Sequence, residues 1–322
     1  MATTYNYSIR VSCGKLLEDL ELTLTPFTIV IGAPYRRKAT LLKSLYFATK
    51  VYTRRQPSYI LATLFPSLHR VELNVEIDNY YVEFDGHEIV EIKGSPPWKY
   101  AIYIMPNYPT IVRMMLEAAK FVEEFRQRHD TVTMLGGLAS ILATTVERYG
   151  RHTFLSRLAL WACDMFVQAG LDEMCKSWRQ ALNSVFFGLG AQALTTTAGL
   201  SPADTTLPDY DIYRRLIEAL LMRSKNDTIM LIENIGYHIS LKNVQELVKL
   251  RVDRGDNIAV VASITVPPGV AKSLEGGEVS RNQIVGKFQA FFEIDLDPSI
   301  SSLYLFKRGR DEGRIVAERL FP

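Results

Sequence analysis

Cysteine is scarce in this 322-residue sequence, and the three cysteines present stand far apart, at Cys13, Cys163 and Cys175. An odd, widely spaced set of this kind does not form a disulfide framework, and no CxxC spacing occurs. A disulfide-stapled secreted domain is therefore excluded. A reducing, cytoplasmic compartment is the expected location.

An excess of charge of either sign is also missing. The 37 lysine and arginine residues are almost balanced by 35 acidic residues, which leaves a net charge of +2. Any nucleic-acid contact must therefore come from a local basic face and not from the protein as a whole. With 48% hydrophobic and 22% charged residues, the composition excludes a disordered or low-complexity chain.

A long hydrophobic run is the third absence. The uncharged stretch Thr131–Val146 is shorter than the roughly 20 apolar residues that a membrane-spanning helix needs. The first residues, MATTYNYSIR, lack the apolar region of a secretory signal peptide. We therefore expect a soluble chain without a membrane partner, in which residues 131–146 form a buried helix or helical hairpin.

Hydrophobic periodicity divides the chain into three parts. Short alternating or wholly apolar runs predict strands up to residue 108, whereas apolar residues recur every three or four positions between 109 and 194 and predict helices. From 195 to 322 strands and helices alternate again. The pattern predicts an α/β core, residues 1–108 and 195–322, with an antiparallel β subdomain and a helical insertion, residues 109–194.

Three local assignments belong to this interpretation. The helical period predicts one helix over Asp172–Phe187, and the apolar residues of the tail predict a strand around Phe291–Ile294. Turn-forming residues predict a loop over Thr195–Asp209.

One segment, FTIVIGAPYRRKATLL, has the strand, loop and helix of a phosphate-binding loop. In the full pattern GxxxxGK[ST], the loop amides and the helix N-terminus face the phosphates, and the lysine reaches the terminal ones. Gly32 occupies the first glycine position and Lys38 the lysine position. Arg37 replaces the second glycine, and Ala39 replaces the magnesium-binding hydroxyl residue, with Thr40 one place later.

Three further segments follow downstream: YIMP at 103–106, IMLIENIGYHI at 229–239 and VVASITVP at 260–267. Together with the loop they resemble the ABC-type ATPase superfamily, and more narrowly the branch of SMC, RecF and OLD-family proteins and many archaeal AAA-family ATPases. They correspond to the strand before the helical lid, the Walker B strand and the switch strand. The resemblance implies a P-loop NTPase fold with an inserted lid domain, which binds ATP between two heads and works on nucleic acid or in defence.

The resemblance also implies roles for individual residues. It places six residues in the nucleotide-binding loop: Gly32, Arg36, Arg37, Lys38, Ala39 and Thr40. Glu233 would hold magnesium through water, and Thr265 stands at the switch position, where the family has a histidine. Asn234 stands where the family has its catalytic glutamate, and an amide cannot accept a proton from the attacking water.

Each of these residues also has a plainer interpretation. Lys38 is either a phosphate ligand or a solvated lysine at a helix start. Arg36 and Arg37 are either surface charges or contacts to nucleotide, DNA or a partner. Glu233 is either a metal-binding acid or a hydrogen-bonded structural carboxylate. If the loop requires a positive φ at Arg37, a non-glycine residue there costs about 1–2 kcal/mol.

Three functions therefore stay open. The changes at Arg37, Ala39 and Asn234 favour a degenerate ATPase-like subunit that binds ATP, has a weakened magnesium site and hydrolyses slowly or not at all. It would act with a partner in DNA maintenance or defence, as a homodimer or heterodimer through its heads, beside DNA or a DNA-processing protein. The alternatives are an active ATP hydrolase that couples head dimerisation to nucleic-acid processing, and a structural interaction module without nucleotide.

Overall fold

The computed structural model describes residues 5–34, 37–54, 71–106, 108–126, 137–138, 140, 151–236, 239–275, 279–309 and 314–322. The chain divides into two compact units, one formed by residues 1–106 and 226–322 and the other by residues 107–225. The first unit contains two sheets and the second is helical, which confirms the predicted α/β class with an antiparallel subdomain and a helical insertion.

The smaller sheet is antiparallel, with the order β2-β1-β4-β5-β6. Its inner faces are apolar and its outer faces polar, because alternate residues of a strand point to opposite sides. Tight turns join the strands from β4 to β6 into a meander. The bounds are β1 Tyr7–Cys13, β2 Leu17–Leu24, β4 Leu73–Ile77, β5 Tyr80–Phe84 and β6 Ile89–Lys93.

The larger sheet has the order β11-β10-β3-β9-β8-β7, in which all neighbours are parallel except β10 and β11. Its two apolar runs FTIVIG and TIMLI are buried along their whole length, as central strands of a parallel sheet are. The bounds are β3 Phe27–Gly32, β7 Tyr100–Ile104, β8 Thr228–Ile232, β9 Ile258–Thr265, β10 Ser301–Arg308 and β11 Ile315–Phe321. Helix α1, Lys38–Arg54, follows β3.

The helical unit contains five α-helices among its described residues, and two of the local predictions on it are wrong. The bounds are α2 Tyr108–Arg126, α3 Arg151–Gln168, α4 Trp178–Phe186, α5 Leu189–Ala198 and α6 Asp209–Arg223. The single helix expected over Asp172–Phe187 is two, a 3-10 turn over Asp172–Cys175 and then α4, because Ser177 caps α4 through the amide of Gln180. The loop expected over Thr195–Asp209 begins only after α5 and contains a second 3-10 turn, Pro202–Thr206.

The boundary between the units lies after residue 225, whereas the sequence analysis places it at 194. Helix α6 accounts for the difference, because it packs on α5 and α2 and buries Ile212, Leu216 and Leu220 within the helical unit. None of the helices among the described residues is long and apolar enough to cross a membrane. The helix or hairpin expected over 131–146 lies almost wholly outside the described residues.

Three further helices lie among the described residues of the first unit: α7 Leu241–Asp253, α8 Pro268–Glu275 and α9 Arg281–Phe292. The strand expected around Phe291–Ile294 is wrong, because Phe291 and Phe292 end helix α9. Ser280 and Gln283 form a capping box at its start, and Glu293, with φ 50°, ends it in the left-handed conformation.

Candidate functional site

Three neighbouring parallel strands of the larger sheet bring the sequence-predicted residues together at their carboxyl ends, an edge that crosses the strands. Gly32 at the end of β3 pairs with Thr265 at the end of β9, and the amide of Val266 donates to the carbonyl of Gly32 over 3.1 Å. Glu233 and Asn234 directly follow β8, the neighbour of β9 on its other side. Ligands of open α/β sheets bind at the carboxyl ends of the strands, so this edge is the candidate site.

Arg37 holds the backbone conformation that a glycine would adopt most easily. Its φ is +57°, in the left-handed region. Its carbonyl accepts from the amides of Thr40 and Leu41 over 2.9 and 3.2 Å, which starts α1. The position of the second glycine of the phosphate-binding pattern therefore does require a positive φ here, and arginine meets that requirement at a cost of about 1–2 kcal/mol.

We expect Arg37→Gly to stabilise the protein. Glycine adopts the left-handed conformation without strain, although it loses more backbone entropy on folding, so the net gain in the free energy of unfolding is about 0.5–1 kcal/mol. Urea unfolding of the purified protein measures it. Arg37→Ala is the matched control, because it removes the same side chain and keeps the strain. Equal stabilities of the two variants would contradict the assignment.

Lys38 is not a solvated lysine. Its side chain is buried, with 6% of the residue exposed, and its ammonium donates to the carbonyls of Gly32 over 2.9 Å and of Ala33 over 2.7 Å. The Lys38 side chain thus lies along the phosphate-binding loop and bonds to its backbone. A bound phosphate would have to draw the ammonium away from these two carbonyls.

The rest of the loop is arranged around the start of α1. Thr40 is buried and Ala39 is half-buried without a side-chain oxygen, so the position after the lysine offers no ligand for magnesium. Arg36 lies outside the described residues. Burial raises the pKa of the nearby Cys13 thiol to about 11, although a hydrogen bond with Ser44 and the charge of Arg37 lower it, so this thiol stays protonated and unreactive at neutral pH.

Glu233 has a hydrogen-bond partner that the sequence analysis did not identify. The hydroxyl of Tyr103, on β7, donates to carboxylate oxygen Oε2 of Glu233 over 2.5 Å. The amide of Glu233 also donates to the carbonyl of Ile104 on the same strand over 2.8 Å, which extends the β7–β8 pairing by one residue. The segment YIMP pointed to a strand, but nothing in it indicated which carboxylate the tyrosine would meet.

Asn234 connects the ends of β8 and β9. Its φ is +54°, a conformation that asparagine tolerates better than most residues. Its amide donates to the Ser263 hydroxyl over 2.8 Å, and its side-chain oxygen Oδ1 accepts from the amide of Thr265 over 3.2 Å. We call these two bonds the 234–265 clasp. Asn234, which the resemblance places at the position of the catalytic acid, thus bonds the end of β8 to the end of β9.

The donor set suits phosphate better than it suits a metal ion. Backbone amides at the start of α1 and the Lys38 ammonium are the groups that bind phosphate in such loops. Throughout the described part of the chain, no group of three histidine, cysteine, aspartate or glutamate side chains is close enough together to hold a metal. A magnesium ion brought by a nucleotide would have Glu233 as an oxygen ligand through water.

Comparison with known proteins finds distant structural similarity only. No protein-family profile and no curated protein matches the chain. Among solved structures, a nucleotide-free ATP-binding cassette of an ABC transporter is similar over 98% of this chain and 92% of its own, with 11% identity and a TM-score of 0.35. The recombination mediator RecF with ATP is similar over 98% and 99%, with 10% identity and a TM-score of 0.39.

An SMC head bound to the C-terminal winged-helix domain of ScpA is similar over 98% of both chains, with 10% identity and a TM-score of 0.39. The P-loop NTPase-type core is seen in the strand–loop–helix unit of β3 and α1 and in the strand order around it.

Proposed function

We propose that this chain is an ATPase-like nucleotide-binding subunit with little or no hydrolytic activity, which acts with a partner. The observation that carries the proposal is the 234–265 clasp. The residue in the position of the water-activating acid is an amide, and its oxygen is already bonded to the amide of Thr265. It has neither the basicity to take a proton nor a free geometry for placing a water molecule.

The remaining residues of the edge support binding without turnover. The amides at the start of α1 would receive the phosphates, and the Lys38 ammonium would exchange the carbonyls of Gly32 and Ala33 for phosphate oxygens. A magnesium ion supplies charge neutralisation between phosphates when it is bound, and Glu233 would orient it through water. Ala39 gives it no direct ligand, which weakens the site.

The wider role is proposed from the motif resemblance: a cytoplasmic homodimer or heterodimer through its heads, beside DNA or a DNA-processing protein in DNA maintenance or defence. Two measurements test it. Light scattering with and without ATP should show nucleotide-dependent dimers. Gel shifts with duplex DNA at two salt concentrations should show a complex that weakens as salt rises, because phosphate contacts release counterions.

ATP titration by calorimetry tests the proposal itself. We expect saturable ATP binding by the wild type and loss of binding in Lys38→Ala. The reason is that, among the described residues of the loop and the first turn of α1, Lys38 is the buried one that carries a charge. Lys242→Ala is the matched control, since Lys242 is an exposed lysine in the first turn of α7. Equal binding by wild type and Lys38→Ala would contradict the role of this lysine.

A structural module without nucleotide is the second candidate. It is favoured by the two bonds of Lys38 to loop carbonyls and by the bond of Tyr103 to Glu233, which occupy the ammonium and one carboxylate oxygen within the protein. The same titration separates the candidates. If the wild-type protein is folded and binds no ATP with or without magnesium, the nucleotide-binding proposal is wrong and the structural module stands.

A further inference from the structure

Strand β7 bonds to both the backbone amide and the carboxylate of Glu233. The β7–β8 pairing places Tyr103 opposite Leu231, two residues before Glu233, and the Ile104 carbonyl receives the Glu233 amide. The hydroxyl of Tyr103 then reaches Oε2 of the carboxylate. Backbone and side chain of the acid are therefore both fixed by β7.

Tyr103 also contacts the helix that follows the phosphate-binding loop. Only 3% of Tyr103 is exposed, and its ring centre lies 5.6 Å from that of Tyr46 on α1. Since α1 begins at Lys38, the tyrosine is packed between the helix of the loop and the acid at the end of β8. Tyr103 therefore contacts both α1 and the carboxylate of Glu233.

We propose that Tyr103 is a positioning residue, which orients Glu233 so that its free oxygen Oε1 faces the hydrated magnesium ion of a bound nucleotide. A carboxylate with one oxygen occupied by a phenol offers the other in a fixed direction, as the outer hydrogen-bond partners of metal ligands do. This inference rests on the proposed nucleotide binding. It adds a residue that the motif resemblance assigns to no role.

The test is the magnesium enhancement of ATP binding, defined as the ATP dissociation constant in EDTA divided by that in excess magnesium. Tyr103→Phe should lower the enhancement about tenfold or more, the usual effect of removing an outer-shell partner. ATP affinity in EDTA should stay unchanged, because the bond that the variant removes is made to Glu233 and not to the phosphate-binding loop. A merely structural effect of the variant would lower both affinities together.

Tyr80→Phe is the matched control. Tyr80 is also buried, and its hydroxyl donates to the carbonyl of Ala48 on α1 over 2.6 Å without contacting Glu233. It should keep the wild-type enhancement. In a Glu233→Gln background, where the acid is gone, Tyr103→Phe should have no further effect on it.

The outcomes distinguish this inference from the proposed function. If the wild type binds ATP but Tyr103→Phe and Tyr80→Phe show the same enhancement, the positioning role is overturned and nucleotide binding stands. The same holds if the wild type binds ATP without any magnesium enhancement. If the wild type binds no ATP at all, the proposed function fails, and the positioning role fails with it.

Discussion

ATP hydrolysis by this protein is expected to be roughly 10²–10⁴-fold slower than in an ATPase of the same fold that has a carboxylate at the position of Asn234, because a general base contributes a factor of this size. The amide oxygen of Asn234 accepts a hydrogen bond from the Thr265 amide and cannot take a proton from water. Phosphate release with excess magnesium and ATP measures the rate. Turnover that is fast, and abolished by Asn234→Ala, would contradict this reading of the site.

Restoring the missing groups should restore the rate in a defined order. Asn234→Glu alone returns the base but leaves no direct magnesium ligand at Ala39 and keeps the strain at Arg37, so we expect a gain below about tenfold. The triple variant Arg37→Gly, Ala39→Ser, Asn234→Glu supplies all three groups, and its turnover should exceed that of the wild type by about 10²-fold.

The control for the triple variant changes one functional group only. Arg37→Gly, Ala39→Ser, Asn234→Gln has a side chain of the same length as glutamate without its basicity. It should bind ATP like the triple variant and hydrolyse it no faster than the wild type. If the glutamine variant turned over as fast as the glutamate variant, the rate would not depend on a base at residue 234.

The parts of the fold that sequence analysis predicted are those with an unambiguous period. The runs of β3 and β8 were correctly predicted as buried strands, because they are short, rich in β-branched residues and flanked by turn-forming residues. The turns between β4, β5 and β6 join short alternating segments into a meander. Phe291–Ile294 was predicted as a strand because three apolar residues among four fit a strand and a helix end equally well. The threonines at 195–197 favour turns locally, but Thr197 and Ala198 are buried, and packing overrides the local preference.

The sequence analysis named residues that lie at the same ends of neighbouring strands, but it did not identify the bonds between them. Adjacent parallel strands must end at one edge, so the positions of Gly32 and Thr265 follow from the strand order. The bond from Tyr103 to Glu233 joins residues 130 positions apart, and the clasp of Asn234 depends on the register of β8 against β9. No local pattern contains this information. The left-handed backbone conformation of Asn234 could not be predicted either, because asparagine occurs in many other conformations.

Arg251→Ala is expected to have the largest effect on stability, about 3 kcal/mol or more, because it breaks a buried ion pair. The side chain of Arg251 is 3% exposed, and its guanidinium binds the carboxylate of Asp256 and the side-chain oxygen of Asn226. Asp256 lies two residues before the start of β9, and Asn226 lies two residues before the start of β8. The arginine thus fixes the amino ends of the two strands whose other ends carry the 234–265 clasp.

Urea unfolding measures this effect as a shift of the midpoint at constant slope. Arg281→Ala is the matched control, because Arg281 pairs with Glu318 while its own side chain is 65% exposed, and such a pair contributes at most about 1 kcal/mol. Arg251→Met with Asp256→Leu should recover most of the loss, since an apolar pair leaves no buried charge uncompensated. If Arg251→Ala were no more destabilising than Arg281→Ala, the bonds of Arg251 to Asp256 and Asn226 would not stabilise the amino ends of β8 and β9.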